Sequence, residues 1–436
     1  MSDIRVRGTT GLRGEITVPG DKSISHRSVI LGSLAEGKTR VWGFLESEDC
    51  LNTLLAFHRM GVKFERPGLG ELEIVGAGLD VLAEPLDVIN VGNSGTTIRL
   101  MCGVLAGQPF YSVITGDASI RSRPMGRVVA PLREMGAQIY GRAGGERAPL
   151  TIIGGNLRPI HYQSPVASAQ VKSAILLAGL FADGETSVTE PAHSRNHTEL
   201  MLRGFGAQVK IEGTTATVVG RPKLAARDIR VPGDISSAAY FLVAALIVPD
   251  SEVTIQNVGI NPTRTGILDA LGAMGADISI QNVHDEAGEP TADITARSSA
   301  LRGTEVRGDL IPRLIDEVPI LAVAAAVASG QTVIADAQEL RVKEADRIAA
   351  VAAELPKFGV KIEEKPDGMV IHGGTTLGQD LQSCPIICDS HGDHRVAMSC
   401  AIAGLAARGE TVVRGSECVQ TSFPGFQEVL SGLVVA

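Results

Sequence analysis

Residues 236–248 read SSAAYFLVAALIV, a stretch that carries almost no polar side chain on any face of a helix. A helix that is apolar all round is a buried helix. The pattern therefore predicts that this segment lies inside a packed unit. Similar segments of small apolar residues recur along the chain, and the predicted buried helices cover residues 25–35, 94–106, 168–182, 236–248, 315–329 and 393–408.

Each buried helix belongs to a repeated unit. A strand and a short polar step come before it, and a Gly-x-Thr turn, a second strand, a second helix and a third strand follow. The second helices end at Met60-Gly61-Val62, Met135-Gly136-Ala137, Phe205-Gly206-Ala207, Met274-Gly275-Ala276 and Phe358-Gly359-Val360, and the sixth covers residues 426–433. Sharing 436 residues among six copies gives about 73 residues each, longer than solenoid repeats. We predict an α/β protein of two domains with three units each.

Composition excludes several classes of function. The chain has a net charge of −9 and only 3% aromatic residues, which argues against a nucleic-acid-binding surface. No stretch is apolar enough to span a bilayer, and the start, MSDIRVRG, lacks the apolar region of a signal peptide. The six cysteines show no disulfide framework and fit a reducing compartment. We therefore expect a cytoplasmic protein.

Charged residues recur where the helices start. The starts of the first helices hold Lys22, Arg27, Arg99, Lys172, Asp234, Asp316, Asp393 and Arg395. The starts of the second helices hold Arg123, Arg195, Arg264, Lys343, Glu344 and Arg347. Unpaired N–H groups give each helix N-terminus partial positive charge, and several such ends facing one region form an anion site. If the units share one orientation, these charges converge on one functional region.

Two segments at helix starts are candidate anion sites. Residues 19–27, PGDKSISHR, place Lys22 and Arg27 on one helix start, which favours an anion site over a solvated cap. Residues 93–99, NSGTTIR, combine Gly95 with hydroxyls and an arginine, but a tight turn into a helix explains them equally well. The nearby serines, each taken alone, are more simply N-caps; they are Ser23, Ser94, Ser168, Ser194 and Ser236.

The segment KEADR, residues 343–347, has two interpretations. Lys343 and Arg347 lie on one helical face, and an exposed ion-pair lattice there would contribute only about 0.3–0.5 kcal/mol per pair. Alternatively, Asp316 and Glu344 form an acid/base pair, because surrounding cations tune the pKa values of carboxylates for proton transfer. Two more segments repeat the polar start of a buried helix, namely SAQVK at residues 168–172 and DSHGDHR at residues 389–395.

Two motifs are rejected as functional sites. Residues 32–39, GSLAEGKT, match the P-loop pattern, but a P-loop follows a strand and opens a helix, whereas this segment closes a helix and opens a strand. Gly-x-Thr occurs at the same position in other units, which indicates a turn that is repeated from unit to unit. The run Cys384-x₃-Cys388-x₂-His391-x₂-His394 has the side-chain types of a zinc site, but its spacing is not a standard one.

Eight motifs give the chain a family resemblance. They are, in order, PGDKSISHR, GNSGTTIR, SRPMGR, SAQVKSA, IDEVPI, RVKEADRI, GDHR and SFPGF. With them the chain resembles, from end to end, the 5-enolpyruvylshikimate-3-phosphate synthase family. The resemblance implies a two-domain inside-out α/β barrel, with three βαβαββ units and buried parallel helices in each domain. The first strand should belong with the C-terminal half, so the implied domains are residues 1–20 plus 232–436 and residues 21–231, with the active site in the cleft.

The resemblance also implies a reaction and its residues. The family transfers the enolpyruvyl group of phosphoenolpyruvate to the 5-hydroxyl of shikimate 3-phosphate and releases phosphate through a tetrahedral intermediate. The implied catalytic residues are Asp316, Glu344 and Lys22. The implied phosphoenolpyruvate-binding residues are Lys22, Gly95, Arg123, Gln170, Arg347 and Arg395. The implied shikimate 3-phosphate-binding residues are Ser23, Arg27, Ser168, Ala169, Gln170, Ser194, Arg195, Asp316 and Lys343. The resemblance further implies a monomer that needs no metal and no cofactor.

The chain departs from the better-known branch of the family. Ala169 stands where that branch has a second serine, His197 where it has a tyrosine, Glu339 where it has an asparagine, and Thr421 where it has a lysine. We interpret these departures as marks of the divergent bacterial branch. Gly95 is retained where bulkier residues confer glyphosate tolerance in the family, so glyphosate is expected to compete with phosphoenolpyruvate.

Two other functions remain open from the sequence. The sister family, UDP-N-acetylglucosamine enolpyruvyl transferase, has Lys-Asn at the position of Lys22-Ser23 and a catalytic cysteine in a mobile loop, where this chain has residues 121–125 and no cysteine. A non-catalytic phosphosugar-binding protein on the same scaffold is the second alternative. The presence of Lys22, Asp316 and Glu344, the implied acid/base residues, argues against this second alternative.

Overall fold

The chain divides into two compact units. The structure, a computed structural model, describes residues 3–286, 288–379 and 385–435. The unit that holds both chain ends, here called the terminal unit, takes in the chain up to Pro19, then Pro232–Asp285 and the chain from Pro290 onward. The other, here called the inserted unit, takes in Gly20–Val231 and the short segment Glu286–Glu289. The domain bounds expected from the sequence stay a prediction.

The strands and helices follow the predicted repeat. The strands are β1 (Ile4–Arg7), β2 (Arg13–Thr17), β3 (Glu36–Trp42), β4 (Lys63–Glu65), β5 (Glu71–Ala77), β6 (Ile89–Asn90), β7 (Tyr111–Thr115), β8 (Gln138–Arg142), β9 (Arg147–Ile153), β10 (His161–Gln163), β11 (Glu185–Thr189), β12 (Val209–Glu212), β13 (Thr215–Val219), β14 (Ile229–Arg230), β15 (Glu252–Gly259), β16 (Asp277–Glu286), β17 (Glu289–Arg297), β18 (Glu305–Val306), β19 (Gln331–Ile334), β20 (Lys361–Lys365), β21 (Gly368–His372), β22 (Ile386–Asp389) and β23 (Glu410–Arg414). The helices are α1 (Lys22–Leu34), α2 (Glu48–Arg59), α3 (Gly95–Ala106), α4 (Ala118–Ser122), α5 (Gly126–Glu134), α6 (Ala169–Gly179), α7 (His197–Gly204), α8 (Ile235–Ile247), α9 (Gly266–Ala273), α10 (Leu310–Leu314), α11 (Val318–Val327), α12 (Arg347–Glu354), α13 (His394–Ala406) and α14 (Phe426–Leu433).

All the sheets among the described residues share one strand pattern. Their orders are β14-β3-β5-β4, β6-β7-β9-β8, β10-β11-β13-β12, β16-β17-β15-β2, β18-β19-β21-β20 and β1-β23-β22. Where both strands that flank a first helix lie in the same sheet, they pair in parallel, as β6 pairs with β7 across α3. A parallel pair needs such a crossover connection, and an antiparallel strand, such as β9 beside β7, then extends the sheet.

The two units exchange one strand each along the chain. Strand β2 precedes α1 in sequence but pairs in parallel with β15 of the terminal unit. Strand β14 precedes α8 in sequence but pairs in parallel with β3 of the inserted unit. At the chain start, β1 pairs antiparallel with β23 and completes the last sheet. At both of these places the chain passes from one unit to the other between a strand and the buried helix that follows.

Each unit has its own hydrophobic core built around the first helices. Twelve of the thirteen residues of α8 are buried, as the sequence pattern predicts. In the inserted unit, α3 approaches α6 so closely that a Cβ on Gly103 would lie 2.1 Å from the carbonyl oxygen of Ala174. Glycine is therefore needed at this crossing. Among the described residues, no helix combines the length and the apolar character needed to cross a membrane.

The structure confirms that residues 32–39 are a repeated turn. They include the end of α1 and the start of β3, which is the reverse of the strand-to-helix order of a P-loop. The interpretation of the nearby serines as N-caps is confirmed for Ser94 and Ser168. It is wrong for Ser23 and Ser236, which lie inside α1 and α8, and for Ser194, because Asn196 is the N-cap of α7. Side chains of Asp21, Ser94, Ser168, Asp234 and Asp393 cap α1, α3, α6, α8 and α13 respectively.

Candidate active site

The start of α1 holds a lysine–aspartate ion pair. Asp21 accepts a hydrogen bond from the Ile24 N–H at 2.9 Å, and such caps contribute about 1 kcal/mol. Lys22 is the first residue of the helix, and its Nζ lies 2.7 Å from Asp49 Oδ2. The Lys22 side chain is 18% exposed. Asp49 thus orients a charged amine that remains partly accessible to an anion.

Arg27 lies one turn further along α1 and is buried. Its Nε donates to Thr198 Oγ1 at 2.6 Å, and its Nη2 donates to Ser173 Oγ at 2.8 Å. Its Nη1 donates to the carbonyl oxygen of Ser23 at 2.9 Å. Burial lowers the pKa of Arg27 to about 10, because the guanidinium loses its hydration. The group keeps its positive charge at neutral pH in one fixed orientation.

His26 joins α1 to a buried chain of hydroxyl groups. Its Nδ1 lies 2.7 Å from Thr53 Oγ1, which lies 2.7 Å from Thr97 Oγ1. Thr97 in turn donates to Ser94 Oγ, the cap of α3, at 2.6 Å. Burial, and then the nearby positive charges of Lys22 and Arg27, lower the pKa of His26 well below its usual value. The imidazole is therefore neutral in the folded protein.

His26 should make the protein sensitive to acid. Its folded-state pKa lies below its unfolded-state pKa, so its contribution is complete above about pH 6.5 and is lost as pH falls. Below that pH the unfolded chain takes up a proton that the folded protein excludes, at about 1.4 kcal/mol per pH unit. In urea titrations between pH 7 and 4.5, His26→Gln should flatten this slope, whereas replacing the exposed His193 should not. An unchanged slope in the His26 variant would refute the assignment.

The start of α3 brings two arginines against a glycine. Arg123 is buried, and its Nη2 donates to Asn93 Oδ1 at 3.1 Å. Arg99 donates from Nη1 to Gln170 Oε1 at 2.8 Å. A Cβ on Gly95 would lie 2.7 Å from Arg123 Nη1 and 3.0 Å from Arg99 Nη1. The absence of a side chain at Gly95 therefore leaves room for both guanidinium groups.

The start of α6 holds Ser168, Ala169 and Gln170, all partly buried. Ser168 Oγ accepts from the Val171 N–H at 3.5 Å and caps the helix. One turn further, Lys172 is buried rather than presented to a ligand, since its side chain is only 5% exposed. Its ammonium pairs with the carboxylates of Glu190 and Glu199. The segment SAQVK therefore offers a hydroxyl and an amide but no accessible amine.

Three predicted functional residues, Asp316, Glu344 and Arg347, meet in the terminal unit. Arg347 Nη1 lies 3.0 Å from Asp316 Oδ1, and its Nη2 lies 2.6 Å from Glu344 Oε2. Its Nε donates to Asp393 Oδ2 at 2.7 Å. Burial opposes the charge of Arg347, but the three carboxylates outweigh it and raise its pKa. Because Arg347 is 1% exposed, KEADR is not an exposed ion-pair lattice.

Two more cations face the same aspartate. Lys343 Nζ lies 3.6 Å from Asp316 Oδ1. Arg395 Nη2 lies 3.8 Å from Asp316 Oδ2, and its Nη1 donates to the Asp316 carbonyl oxygen at 3.2 Å. The backbone N–H of Arg395 donates to the cap residue Asp393 at 2.8 Å. Asp316 and Glu344 therefore lie among three cations, Lys343, Arg347 and Arg395, a setting of the kind found around carboxylates that transfer protons.

The start of α8 is a structural network rather than a ligand-binding one. Arg264 Nη2 donates to Asp234 Oδ1 at 2.9 Å and to Ser236 Oγ at 2.8 Å. Ser236 Oγ in turn donates to Glu317 Oε1. Arg264 is 2% exposed and Glu317 is 1% exposed. These groups fix α8 against α11 from inside the terminal unit.

The residues at which the chain departs from the family pattern have partners of their own. His197 Nδ1 lies 2.7 Å from Glu289 Oε1, and both residues are buried in the inserted unit. Thr421 Oγ1 lies 3.4 Å from His394 Nδ1. Glu339 lies in a short 3₁₀ turn, Gln338–Val342, ahead of Lys343. His197 and Thr421 therefore both contact other residues of the protein.

A group of metal-ligand type exists in the described part of the terminal unit. The ligand atoms of Glu354, Cys388 and Cys400 lie within 4.8 Å of one another. However, Glu354 Oε2 already lies 2.7 Å from Lys357 Nζ. A hydrogen bond to Cys388 and burial raise the pKa of the Cys400 thiol, which opposes the thiolate that a metal needs. We assign no metal here, and Cys384 of the rejected zinc motif lies outside the described residues.

Sequence patterns missed the carboxylates that position the cations. Asp49 and Glu190 each contact a functional lysine or serine, yet neither lies in a motif. The pair Lys22–Asp49 joins residues 27 positions apart, so no helical spacing could indicate it. Only the fold brings such residues together.

Comparisons with known proteins show the family to which the chain belongs. The model of the family EPSP synthase (3-phosphoshikimate 1-carboxyvinyltransferase) matches residues 6–430. The 3-phosphoshikimate 1-carboxyvinyltransferase of Pelotomaculum thermopropionicum is 57% identical over 434 residues, covering 99% of each chain. The solved EPSP synthase of Acinetobacter baumannii is 48% identical with a TM-score of 0.87, covering 100% of this chain and 99% of that one. The enolpyruvyl transferase NikO of Streptomyces tendae is 18% identical with a TM-score of 0.79, covering 99% of this chain and 97% of that one, and supports the fold alone.

The repeated βαβαββ fold is the one found in the solved enolpyruvyl transferases that the chain matches over its whole length. The predicted fold class is confirmed. More specifically, the chain belongs to the EPSP synthase family. It is a transferase that catalyses enolpyruvyl transfer in the shikimate pathway, on the route to aromatic amino acids.

Proposed function

We propose that the two substrates are shikimate 3-phosphate and phosphoenolpyruvate, and that the enolpyruvyl group passes to the 5-hydroxyl with release of phosphate. The observation that carries the proposal is the Arg347 guanidinium, which holds Asp316 and Glu344 at 3.0 and 2.6 Å. The addition step moves two protons, one from the 5-hydroxyl and one to the C3 methylene of phosphoenolpyruvate. Two carboxylates fixed on one cation meet that requirement.

Phosphoenolpyruvate carries a phosphate and a carboxylate, which need several cations. In the inserted unit, Lys22, Arg123 and the amide of Gln170 would bind it beside Gly95. In the terminal unit, Arg347 and Arg395 would bind it. Their hydrogen bonds to the protein keep these cations fixed before the substrate arrives, so little reorganisation opposes the reaction.

Shikimate 3-phosphate needs donors for its phosphate and partners for its hydroxyls. The proposed set is Ser23, Arg27, Ser168, Ala169, Gln170, Ser194, Arg195, Asp316 and Lys343. At Ala169 only the backbone could take part, because the side chain has no polar atom. Hydroxyl groups and guanidinium groups suit an anionic phosphate ester.

The chemical steps follow from these placements. Asp316 and Glu344, with Lys22 assisting, remove the proton of the 5-hydroxyl and add a proton to C3 as the oxygen attacks C2. In the tetrahedral intermediate that results, the C–O bond to the phosphate breaks and the enolpyruvyl double bond re-forms as a C3 proton leaves. Lys22, Arg123 and the arginines of the terminal unit stabilise the charge that develops on the departing phosphate.

Phosphate release tests the proposal. We would measure it with phosphoenolpyruvate and shikimate 3-phosphate in the presence of a chelator, with UDP-N-acetylglucosamine as the parallel acceptor. Release with shikimate 3-phosphate alone is expected. Release only with the nucleotide sugar would assign the sister activity, and saturable binding without release would indicate a binding protein. We also propose that the protein works in the cytoplasm as a monomer without nucleic-acid partners. Sedimentation of the purified protein would test whether it is a monomer.

Substituting Gly95 should weaken phosphoenolpyruvate binding in particular. In Gly95→Ala the new Cβ would lie 2.7 Å from Arg123 Nη1, so the guanidinium must move away from its position. We expect the KM for phosphoenolpyruvate to rise about tenfold, the loss of one charge-assisted hydrogen bond, with the KM for shikimate 3-phosphate changed little. Inhibition by glyphosate should weaken in parallel. Gly272→Ala, where a Cβ meets nothing within 4 Å, is the control, and equal effects on both KM values would contradict the prediction.

A further inference from the structure

A single buried carboxylate links two serines of the proposed substrate site. Glu190 directly follows β11, and its side chain is 2% exposed. Its Oε1 accepts a hydrogen bond from the backbone N–H of Ser168 at 2.8 Å. Its Oε2 accepts one from the hydroxyl of Ser194 at 2.7 Å. Both oxygens are thus bonded to segments that belong to different helix starts, those of α6 and α7.

The charge of Glu190 is balanced within the inserted unit. Lys172 Nζ lies 2.8 Å from Glu190 Oε2 and 2.9 Å from Glu199 Oε1. Burial opposes the charge of Lys172, but Glu199 and Glu190 outweigh it and raise its pKa. A buried ion pair with complete hydrogen bonds holds its members in one geometry. Glu199 shares the lysine, whereas the contacts to Ser168 and Ser194 are made by Glu190.

The bonds to Glu190 also give the two serines different roles. Ser194 directs its hydroxyl proton to Glu190, so its oxygen presents lone pairs and accepts hydrogen bonds. Ser168 Oγ accepts from the Val171 N–H, so its hydroxyl proton is free to point elsewhere. A phosphate oxygen only accepts, whereas a ring hydroxyl also donates. Ser168 therefore suits the phosphate of a sugar-like ester, and Ser194 suits one of its hydroxyls.

We propose that Glu190 is a positioning residue for shikimate 3-phosphate, acting through Ser168 and Ser194. The proposal rests on the proposed function, because it takes both serines as substrate contacts. Glu190 fixes the backbone of Ser168 and the hydroxyl direction of Ser194 before the substrate binds. Removing its charge should therefore weaken binding of shikimate 3-phosphate without affecting phosphoenolpyruvate.

The test compares Glu190→Gln with Glu199→Gln. Both variants remove one carboxylate from Lys172, but only Glu190 contacts the serines. A glutamine has one acceptor oxygen and cannot hold both serine contacts. We expect Glu190→Gln to raise the KM for shikimate 3-phosphate about tenfold, with the KM for phosphoenolpyruvate within about twofold. Glu199→Gln should lower the melting temperature similarly and leave both KM values within about twofold.

Other outcomes overturn the proposal distinctly. An equal rise in KM for both variants would show that the ion-pair network only supports the fold. If Glu190→Gln does not fold, Glu190→Asp keeps the charge at a shorter reach, and an unchanged KM for shikimate 3-phosphate in that variant would count against positioning. Ser168→Ala and Ser194→Ala test the proposed function separately. If these variants bind shikimate 3-phosphate normally, the substrate assignment itself fails, whereas an effect in them without one at Glu190 refutes only the positioning role.

Discussion

Asp316→Asn is expected to lower kcat by about 10²–10⁴-fold, the usual contribution of a general acid or base. The substitution keeps the size of the side chain but removes its charge and its ability to accept a proton. Lys343, Arg347 and Arg395 would lose one carboxylate, although Arg347 would keep Glu344 and Asp393. Single-turnover phosphate release would measure the chemical step, and calorimetry would measure binding of shikimate 3-phosphate.

Binding is the part of this experiment that distinguishes the alternatives. If Asp316 moves a proton, the variant should still bind shikimate 3-phosphate while it turns over slowly. If the protein only binds phosphosugars, the substitution should leave its function intact. Asp309→Asn, which changes an exposed carboxylate in the same unit, is the matched control and should keep full turnover. Turnover near that of the unmodified protein in Asp316→Asn would refute the catalytic assignment.

The buried helices could be predicted because their composition leaves no alternative. A segment such as residues 236–248 has no polar face, so only a buried helix satisfies both its backbone and its side chains. The exact ends of these helices are harder to predict from the sequence than their presence. The helix expected from residue 315 begins as α11 at Val318, because Pro319 favours the first turn and cannot lie deeper in a helix. Asp316 is thereby left ahead of the helix, next to the arginines.

The cations of the site could be predicted, but their partners could not. Lys22, Arg347 and Arg395 stand in motifs at helix starts, where a charge has a local reason to occur. Asp49 and Glu190 have no such signal, because each gains its role only when the sheets bring distant segments together. The sequence also could not separate Lys172, which is buried between two carboxylates, from lysines that face a ligand. Burial of a long side chain depends on tertiary packing.

Arg347→Met is expected to be the most damaging substitution for stability. Methionine fills a similar volume but leaves Asp316, Glu344 and Asp393 without the guanidinium they share. Removing one partner of a buried ion pair costs about 3–5 kcal/mol in unfolding free energy. Phosphoenolpyruvate binding should weaken as well, since the variant lacks a cation at the proposed phosphate site. Urea titration and the KM for phosphoenolpyruvate would measure the two effects.

The loss of unfolding free energy depends on how exposed the arginine is to solvent, and Arg341 provides the comparison. Arg341 pairs with Asp346 at 2.7 Å and with Glu364 at 2.9 Å, but it is partly exposed, so Arg341→Met should lower the unfolding free energy much less than Arg347→Met. Arg347→Lys keeps the positive charge, but its single nitrogen cannot replace the three separate nitrogens with which Arg347 contacts the three carboxylates. The stability of this variant should therefore fall between that of Arg347→Met and that of the unmodified protein. Equal losses in Arg341→Met and Arg347→Met would show that the buried carboxylates do not depend on Arg347. In that case their orientation, and with it the proton-transfer geometry at Asp316 and Glu344, would have to come from the helix starts alone.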